Sequence, residues 1–92
     1  MLKSDLVEKV SKELTMNHDM VQLVINTIFD AMTEALVKGE SIEIRGFGSF
    51  TVRHYQGREG RNPKTGEKVT VAPRKKPFFK VGKELKNRVN AL

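Results

Sequence analysis

The apolar residues at the start of the chain recur at the 3.6-residue spacing of a helix, which predicts a first helix over about residues 4–14. Its apolar face consists of Leu6, Val7, Val10 and Leu14. Ser4 is expected to be the N-cap, and Asp5 is expected to lie near the positive end of the helix dipole. The pattern is that of an amphipathic helix with one side turned towards a core.

A second, longer helix is predicted between Asn17, a good N-cap, and Gly39, a favoured residue just after a helix. Its apolar face consists of Met20, Val21, Leu23, Val24, Ile25, Ile28, Phe29, Ala31, Met32, Ala35, Leu36 and Val37. A helix that is apolar over so much of its circumference is buried on more than one side, and a chain of 92 residues offers few other elements to cover it. We therefore expect a dimer interface here, in preference to an ordinary core helix.

After residue 40 the apolar period changes from 3.6 to 2, the period of a strand. The alternating pairs are Ile42 and Ile44, Phe50 and Val52, and Val69 and Val71. A tight turn at residues 46–48 joins the first two strands, and the segment KKPFFK returns the chain to the core through Phe78 or Phe79. A short helix is expected over about residues 83–91. The predicted fold class is α+β, with two N-terminal helices, a three-stranded antiparallel sheet carrying a long β-ribbon arm, and a short C-terminal helix.

The length fits a single domain over residues 1–92. Within it we expect a helical base with the first strands at 1–52, an arm at 53–76, and a return strand and helix at 77–92. The chain has no cysteine, which rules out a disulfide framework and a cysteine-based zinc site. No apolar run approaches the roughly 20 residues of a membrane span, and the N-terminus does not have the pattern of a signal peptide.

The net charge of +6 is unevenly distributed. Residues 1–52 hold five Lys or Arg and eight Asp or Glu, a balance of −3, whereas residues 53–92 hold twelve and three, a balance of +9. The arm alone, residues 53–76, has eight basic and two acidic residues. Such asymmetry indicates a polyanionic partner, because a merely soluble surface usually mixes both signs.

The stretch GREGRNPKTGEK at 57–68 is long, charged and poor in large apolar side chains. Asn62 is expected to hydrogen-bond its own backbone, Pro63 to preset φ in a turn, and Gly66 to adopt positive φ. A simple turn does not require Arg61 and Lys64 on either side of the proline. A rigid apolar wedge beside an arginine suits the minor groove of DNA, where it can unstack a base step.

The segments GRNPKTGEKVTV, KPFFKVGKEL and IEIRGFGSF resemble the bacterial HU and integration host factor family, over the whole chain. The resemblance implies an intertwined dimer whose arms wrap double-stranded DNA and bend it, with Pro63 as the wedge; this is that family's known mechanism. It implies a cytoplasmic, nucleoid-associated bacterial protein, a homodimer or a heterodimer with a related chain, and no cofactor, membrane or small-molecule substrate. By motif position the DNA-binding residues are Lys3, Arg45, Arg53, Arg58, Arg61, Asn62, Pro63, Lys64, Lys68, Arg74, Lys75, Lys76, Lys80, Lys83 and Lys86.

Two residues bear on the branch of the family. Tyr55 stands where the family often has a basic residue, which removes a phosphate contact, although an aromatic ring can lie against sugar. Arg45 resembles the beta subunit of integration host factor, where HU chains usually have an apolar residue. Arg45 either enters the minor groove, held by Glu43 on the same strand face, or forms only a surface ion pair. Site-preferring bending and general HU-like packaging both remain open.

Other function classes are less well supported. His18 and His54 lie in no catalytic motif, and the glycines near residue 60 lack the spacing of a phosphate-binding loop, so no enzyme is expected. An RNA-binding module is disfavoured because the chain is expected to lack exposed aromatic residues on strands. A dimer that binds an acidic protein through its arm is the remaining alternative.

Overall fold

The computed structural model describes residues 1–91, which fall into two compact units, one from Met1 to Ala35 and one from Leu36 onward. The elements are α1 (Lys3–Leu14), α2 (His18–Val37), β1 (Ile42–Ile44), β2 (Gly48–Tyr55), β3 (Arg58–Arg61), β4 (Lys68–Val71), β5 (Arg74–Val81) and α3 (Lys83–Val89). The α+β class, the two N-terminal helices, the antiparallel strands and the short C-terminal helix are therefore confirmed.

Helix α1 begins one residue earlier than expected. Its N-cap is Leu2, and the Asp5 carboxylate accepts a hydrogen bond from the Leu2 backbone N–H at 2.7 Å. The prediction of Ser4 as the N-cap was wrong, because the acid at the third helical position reaches back and fixes the start upstream of it. The expectation that Asp5 lies at the positive end of the helix is confirmed.

Helix α2 has the expected ends. The Asn17 side-chain oxygen accepts hydrogen bonds from the backbone N–H groups of Asp19 and Met20, at 2.8 and 3.4 Å, which is how an N-cap satisfies free donors. At the other end Gly39 has φ of +82° and its N–H donates to the Leu36 carbonyl at 3.0 Å. Glycine adopts this left-handed conformation at little cost, and the helix stops there.

The helical unit has a very small core. Val7, Val21 and Ile25 are buried, and Leu6 and Val10 pack against them. Most of the broad apolar face of α2 is open: Met20, Leu23, Val24, Ile28 and Phe29 are each between 44% and 61% exposed. A soluble chain rarely leaves such a continuous apolar surface without a partner.

Helix α2 is also the one helix in residues 1–91 that is long and apolar enough to cross a membrane, with 20 residues and a mean hydropathy of 1.3. Asp30 and Glu34 interrupt the apolar run of α2 without lowering its mean hydropathy enough, so no uninterrupted run of that length is visible in the sequence. Length and mean hydropathy alone are weak evidence, since core helices of soluble proteins have the same composition.

The second unit contains a three-stranded antiparallel sheet in the order β1-β2-β5. The sequence placed a third strand at Val69 and Val71, but that strand is β4 and lies outside this sheet. The third strand of the sheet is β5, which pairs with the whole of β2 from Gly48 to Tyr55. Strand β5 contains the return strand expected from residue 77 onward, but it begins three residues earlier, at Arg74. The sequence does not reveal this start because Lys75, Lys76, Pro77, Phe78 and Phe79 do not alternate cleanly.

The register divides the sheet into two faces, because directly paired residues point to the same side. The apolar face carries Ile42, Ile44, Phe50, Val52, Phe79 and Val81. The polar face carries Glu43, Ser49, Thr51, Arg53, Tyr55, Arg74, Lys76, Phe78 and Lys80. Phe79 therefore lies on the apolar face, where it is 38% exposed and its ring packs against those of Phe50 and Phe47 at centroid distances of 4.8 and 5.6 Å.

The turn between β1 and β2 is packed tightly against β5. A Cβ atom added at Gly48 would lie 2.5 Å from the Lys80 carbonyl oxygen and 2.7 Å from the Phe79 ring. The Gly82 N–H donates to the Phe47 carbonyl at 2.9 Å, and Gly82 is the N-cap of α3. Glycine at position 48 is thus required for the close approach of two backbones.

Strands β3 and β4 form a separate two-stranded antiparallel sheet, which we call the ribbon (residues 58–71). It is joined to the larger sheet through residues 56–57 and 72–73. At this junction a Cβ added at Gly57 would lie 2.7 Å from the Val71 carbonyl oxygen and 3.0 Å from the Pro73 ring. The arm expected at 53–76 therefore contains the ribbon and also the adjoining ends of β2 and β5.

Candidate nucleic-acid interface

The tip of the ribbon, residues 62–67, is closed by its own hydrogen bonds. The Asn62 N–H donates to the Glu67 carbonyl at 2.8 Å, and the Gly66 N–H donates to the Asn62 carbonyl at 2.7 Å. The Asn62 side-chain oxygen accepts from the Lys64 N–H at 2.9 Å. Gly66 has φ of +72°. The predicted turn chemistry of Asn62 and Gly66 is confirmed, and the loop has a defined shape without any apolar packing.

Pro63 is exposed at this tip. Arg61 is the last residue of β3 and Lys64 follows the proline, so two cationic side chains flank a rigid apolar ring. On either side of Pro63, the N–H and carbonyl of Asn62 and the N–H of Lys64 form hydrogen bonds within the loop. The ring itself is therefore free to contact another molecule.

The ribbon places its basic residues on both faces. Arg61 pairs directly with Lys68, so these two side chains share one face, whereas Arg58 pairs with Val71 and lies on the other. Among residues 58–71, all of which the structure describes, none is buried. The like charges of Arg61 and Lys68 repel each other at directly opposite positions, so both side chains are available to a polyanion.

At the root of the arm, cations and aromatic rings alternate on the polar face of the sheet. The Arg53 guanidinium carbon lies 3.3 Å from the centroid of the Phe78 ring. The Arg74 guanidinium carbon and the Lys76 ammonium nitrogen lie 6.0 and 5.9 Å from the centroid of Tyr55. Both distances fall near the limit of about 6 Å for a cation–π interaction, and the Arg53 contact is far inside it.

This geometry corrects one expectation. The chain was expected to lack exposed aromatic residues on strands, but Tyr55 on β2 is 43% exposed and Phe78 on β5 is 36% exposed. The sequence did not reveal that Phe78 lies on the polar face, because its neighbour Phe79 lies on the apolar face and only the register tells the two apart. The sequence signal for an exposed ring was that Phe78 follows several basic residues on the same strand.

Lys75 is separated from its neighbours. It pairs with His54, which puts both on the opposite side of the sheet from Arg74 and Lys76. The sequence grouped these three basic residues as one run. The strand period divides them, so Lys75 does not share a surface with the other two.

Arg45 lies in the turn after β1 and lines an open groove with Glu43, Ser49, Thr51 and Lys80. No ion pair joins Glu43 to Arg45 within the described part of the chain. Neither the surface ion pair nor the expected hold of Glu43 on Arg45 is therefore supported. Lys80 pairs with Ser49 on the polar face and shares the groove with Arg45.

The remaining basic residues lie on helices. Lys83 and Lys86 are three positions apart in α3 and exposed, so they point to similar directions. Lys3 is the first residue of α1, and its ammonium donates a hydrogen bond to the side-chain oxygen of Asn26 at 2.8 Å. The partner of Lys3 is thus neutral, and the positive charge of Lys3 is not cancelled by it.

The model of one protein family, described as Bacterial DNA-binding protein, matches residues 1–90 of this chain. The chain belongs to this family. Among curated relatives, the integration host factor beta subunit of Alkalilimnicola ehrlichii is 50% identical over 99% of this chain and 92% of its own length. A beta subunit from Haemophilus influenzae is 44% identical, over 98% and 97%.

Solved structures agree with the assignment. An Anabaena HU–DNA cocrystal structure superposes with a TM-score of 0.85 at 33% identity and covers 98% of both chains. HU from Thermotoga maritima superposes with a TM-score of 0.68 at 33% identity, covering 98% of this chain and all of that one. This chain is thus a DNA-binding architectural protein of the HU and integration host factor family, and the prediction that it is not an enzyme is confirmed.

Proposed function

We propose that two chains of this type assemble into a dimer that binds duplex DNA in the minor groove and bends it. The observation that carries the proposal is the ribbon tip, where an exposed Pro63 lies between Arg61 and Lys64 on a loop closed by its own hydrogen bonds. The arginine suits the negative potential of a narrow minor groove, and the proline ring is a wedge that unstacks one base step.

The other basic residues extend the contact beyond the tip. Phosphate contacts supply most of the affinity and fix the position of a protein on DNA, whereas the wedge determines the deformation. We assign phosphate contact to the following residues: Lys3, Arg53, Arg58, Lys64, Lys68, Arg74, Lys75, Lys76, Lys80, Lys83 and Lys86. Asn62 acts with Arg61 and Pro63 at the tip, where its side chain also holds the loop.

The dimer is proposed from the exposed apolar surfaces. The α2 face and the apolar face of the sheet both leave large side chains open, among them Ile28 at 52% and Ile44 at 40%. A second chain is the partner that matches such surfaces, because an obligate interface resembles a domain core cut in half. The family comprises both homodimers and heterodimers of related chains, and this chain is compatible with either.

We further propose site-preferring bending over general packaging. The relatives named integration host factor beta subunit favour it, as does Arg45, which lies exposed in the groove beside Lys80. Such preference arises chiefly from the deformability and groove width of the DNA. General HU-like packaging is the second candidate, favoured by the structural likeness to HU. Either activity places the protein in the bacterial cytoplasm, on the nucleoid.

The test of DNA binding is fluorescence anisotropy with unrelated duplexes of equal length, some rich in A-tracts, at two salt concentrations. Similar affinities that fall together with salt indicate general packaging. One duplex bound far more tightly, with the preference surviving added salt, indicates site-preferring bending. Binding to RNA or to an acidic protein but to no duplex would overturn the proposal.

The test of the wedge is Pro63→Ala. We expect most of the affinity to remain, because phosphate contacts dominate it, and the bend to decrease. Energy transfer between dyes at the two ends of a duplex measures the bend. Equal energy transfer for the variant and the parent protein would show that Pro63 is only a turn residue.

A further inference from the structure

The basic cluster at the root of the arm is held by aromatic rings and not by acids. Arg53, Arg74 and Lys76 share the polar face, and within residues 1–91 none of them forms an ion pair. The contacts that these cations do make are with the rings of Phe78 and Tyr55.

The strand register explains why the rings are needed. Arg53 lies directly opposite Lys76, and two like charges at such a position repel each other. Each cation turns away from the other towards a ring that is diagonally across the strand pair. Arg53 lies over Phe78, and Lys76 lies 5.9 Å from Tyr55. Diagonal neighbours are within reach of aromatic and long side chains.

The contact between Arg53 and Phe78 is the closer of the two. At 3.3 Å from the ring centroid, the guanidinium carbon is in van der Waals contact with the face of the ring. Directly opposite Phe78 is Thr51, which has a short side chain. A guanidinium stacked on a ring keeps its N–H donors at its edge, where they remain available for an oxygen ligand.

We propose that Phe78 is a positioning residue for DNA binding, which holds the Arg53 guanidinium in place for a phosphate before DNA arrives. The inference rests on the proposed function. A ring fixes the cation without neutralising it, whereas a carboxylate partner would have to be displaced by the incoming phosphate. The gain comes from preorganisation, since a rotamer-rich side chain is already immobilised when the complex forms.

The test is a double-mutant cycle on duplex binding, with Arg53→Ala, Phe78→Leu and the two together. Arg53→Ala should reduce affinity and lower the slope of log K against log salt by about 0.9, because one phosphate charge is lost. Phe78→Leu should weaken binding about two- to fivefold, because that factor corresponds to the free energy of an exposed or partly buried cation–π contact. The slope of log K against log salt should stay unchanged, because no phosphate contact is lost. In the Arg53→Ala background, Phe78→Leu should add nothing.

Arg58 supplies the matched control, because it is an arm arginine without an aromatic contact within the described residues. Phe78→Leu should reduce affinity by the same factor in the Arg58→Ala background as in the parent. Phe78→Tyr keeps the ring and should retain the parent affinity. This variant therefore tests the role of the ring even if Phe78→Leu lowers the stability of the protein. Thermal unfolding of each variant reports its stability separately.

An equal effect of Phe78→Leu with and without Arg53 would overturn the inference, since the ring would then act on the sheet and not through the arginine. A loss of affinity in Phe78→Tyr as large as in Phe78→Leu would overturn it as well. If the parent binds no duplex at all, the proposed function fails and the inference fails with it. Normal duplex binding with no coupling in the cycle overturns the inference alone.

Discussion

The three-stranded sheet and the ribbon contain the same type of strand pair, but different interactions hold them together. In the sheet, Phe79 packs against Phe50 and Phe47, and the backbone at Gly48 lies against β5. In the ribbon, where the structure describes every residue, no side chain is buried, and its shape comes from strand pairing and the turn at Asn62.

The difference indicates a division of roles along one continuous hairpin. A two-stranded hairpin without apolar packing is marginally stable alone in water, whereas three strands with an apolar face can be stable. The sheet thus provides stability, and the ribbon provides charge and a shaped tip at little structural cost. The ribbon is the part that we expect to gain most order when DNA binds.

The sharpest test of this difference compares two β-branched residues with similar exposure, Ile44 at 40% on the sheet and Val69 at 46% on the ribbon. If a second chain covers the apolar face of the sheet, Ile44→Asp places an unpaired charge in an interface and should cost about 3 kcal/mol or more. Val69→Asp should leave stability within about 0.5 kcal/mol of the parent. Chemical unfolding and sedimentation measure both effects.

A dimer of Ile44→Asp as stable as that of Val69→Asp would show that the apolar face of the sheet is not an interface. The difference in stability between the sheet and the ribbon would then come from packing within one chain and not from a dimer interface.

The next largest effect concerns two glycines. Gly48→Ala introduces a Cβ that would lie 2.5 Å from the Lys80 carbonyl oxygen, so we expect a loss of about 1–3 kcal/mol from overpacking. Gly60 in the ribbon has no atom within 4 Å of such a Cβ, and Gly60→Ala should change stability by less than about 0.5 kcal/mol. Equal melting temperatures for the two variants would contradict the tight packing at Gly48.

A smaller and local effect is expected at the tip. Gly66 has φ of +72°, where an alanine costs about 1–2 kcal/mol. Gly66→Ala should therefore speed amide hydrogen exchange at Asn62 and Lys64, whose N–H groups donate within the turn, and leave the unfolding midpoint of the protein unchanged. If the midpoint falls as much as in Gly48→Ala, the ribbon is coupled to the sheet far more strongly than its lack of buried side chains indicates.

Much of the fold was predictable where one residue determines local geometry. Asn17 at the start of α2, and Asn62 and Gly66 at the ribbon tip, act through short-range hydrogen bonds and a single φ angle that sequence spacing reveals. Ser4 failed as a predicted N-cap because a nearby acid, Asp5, offered a competing arrangement with the N-cap two residues earlier, at Leu2. Sequence spacing identifies the N-cap of a helix only when a single residue near its start can form the capping hydrogen bonds.

Features that depend on register were not predictable from the sequence. Nothing in the run KKPFFK tells which of Phe78 and Phe79 lies on the apolar face of the sheet, or that Lys75 lies on the other side of the sheet from Lys76. Both follow once β5 is paired with β2, because the side-chain period of a strand is two. The contact between Arg53 and Phe78 joins residues 25 positions apart in the sequence and depends on the same pairing.

The two faces of β5 also determine where an insertion or deletion of residues is compatible with the fold. Deleting one codon within β5 would shift every later residue to the other face, so that Phe79 would turn outward and Lys80 would turn towards the apolar side. In the ribbon, losing one codon from each strand in register shortens the arm by one residue pair and leaves the sheet untouched. Relatives are therefore expected to vary in arm length by such paired steps and to keep the number of residues in β5 constant.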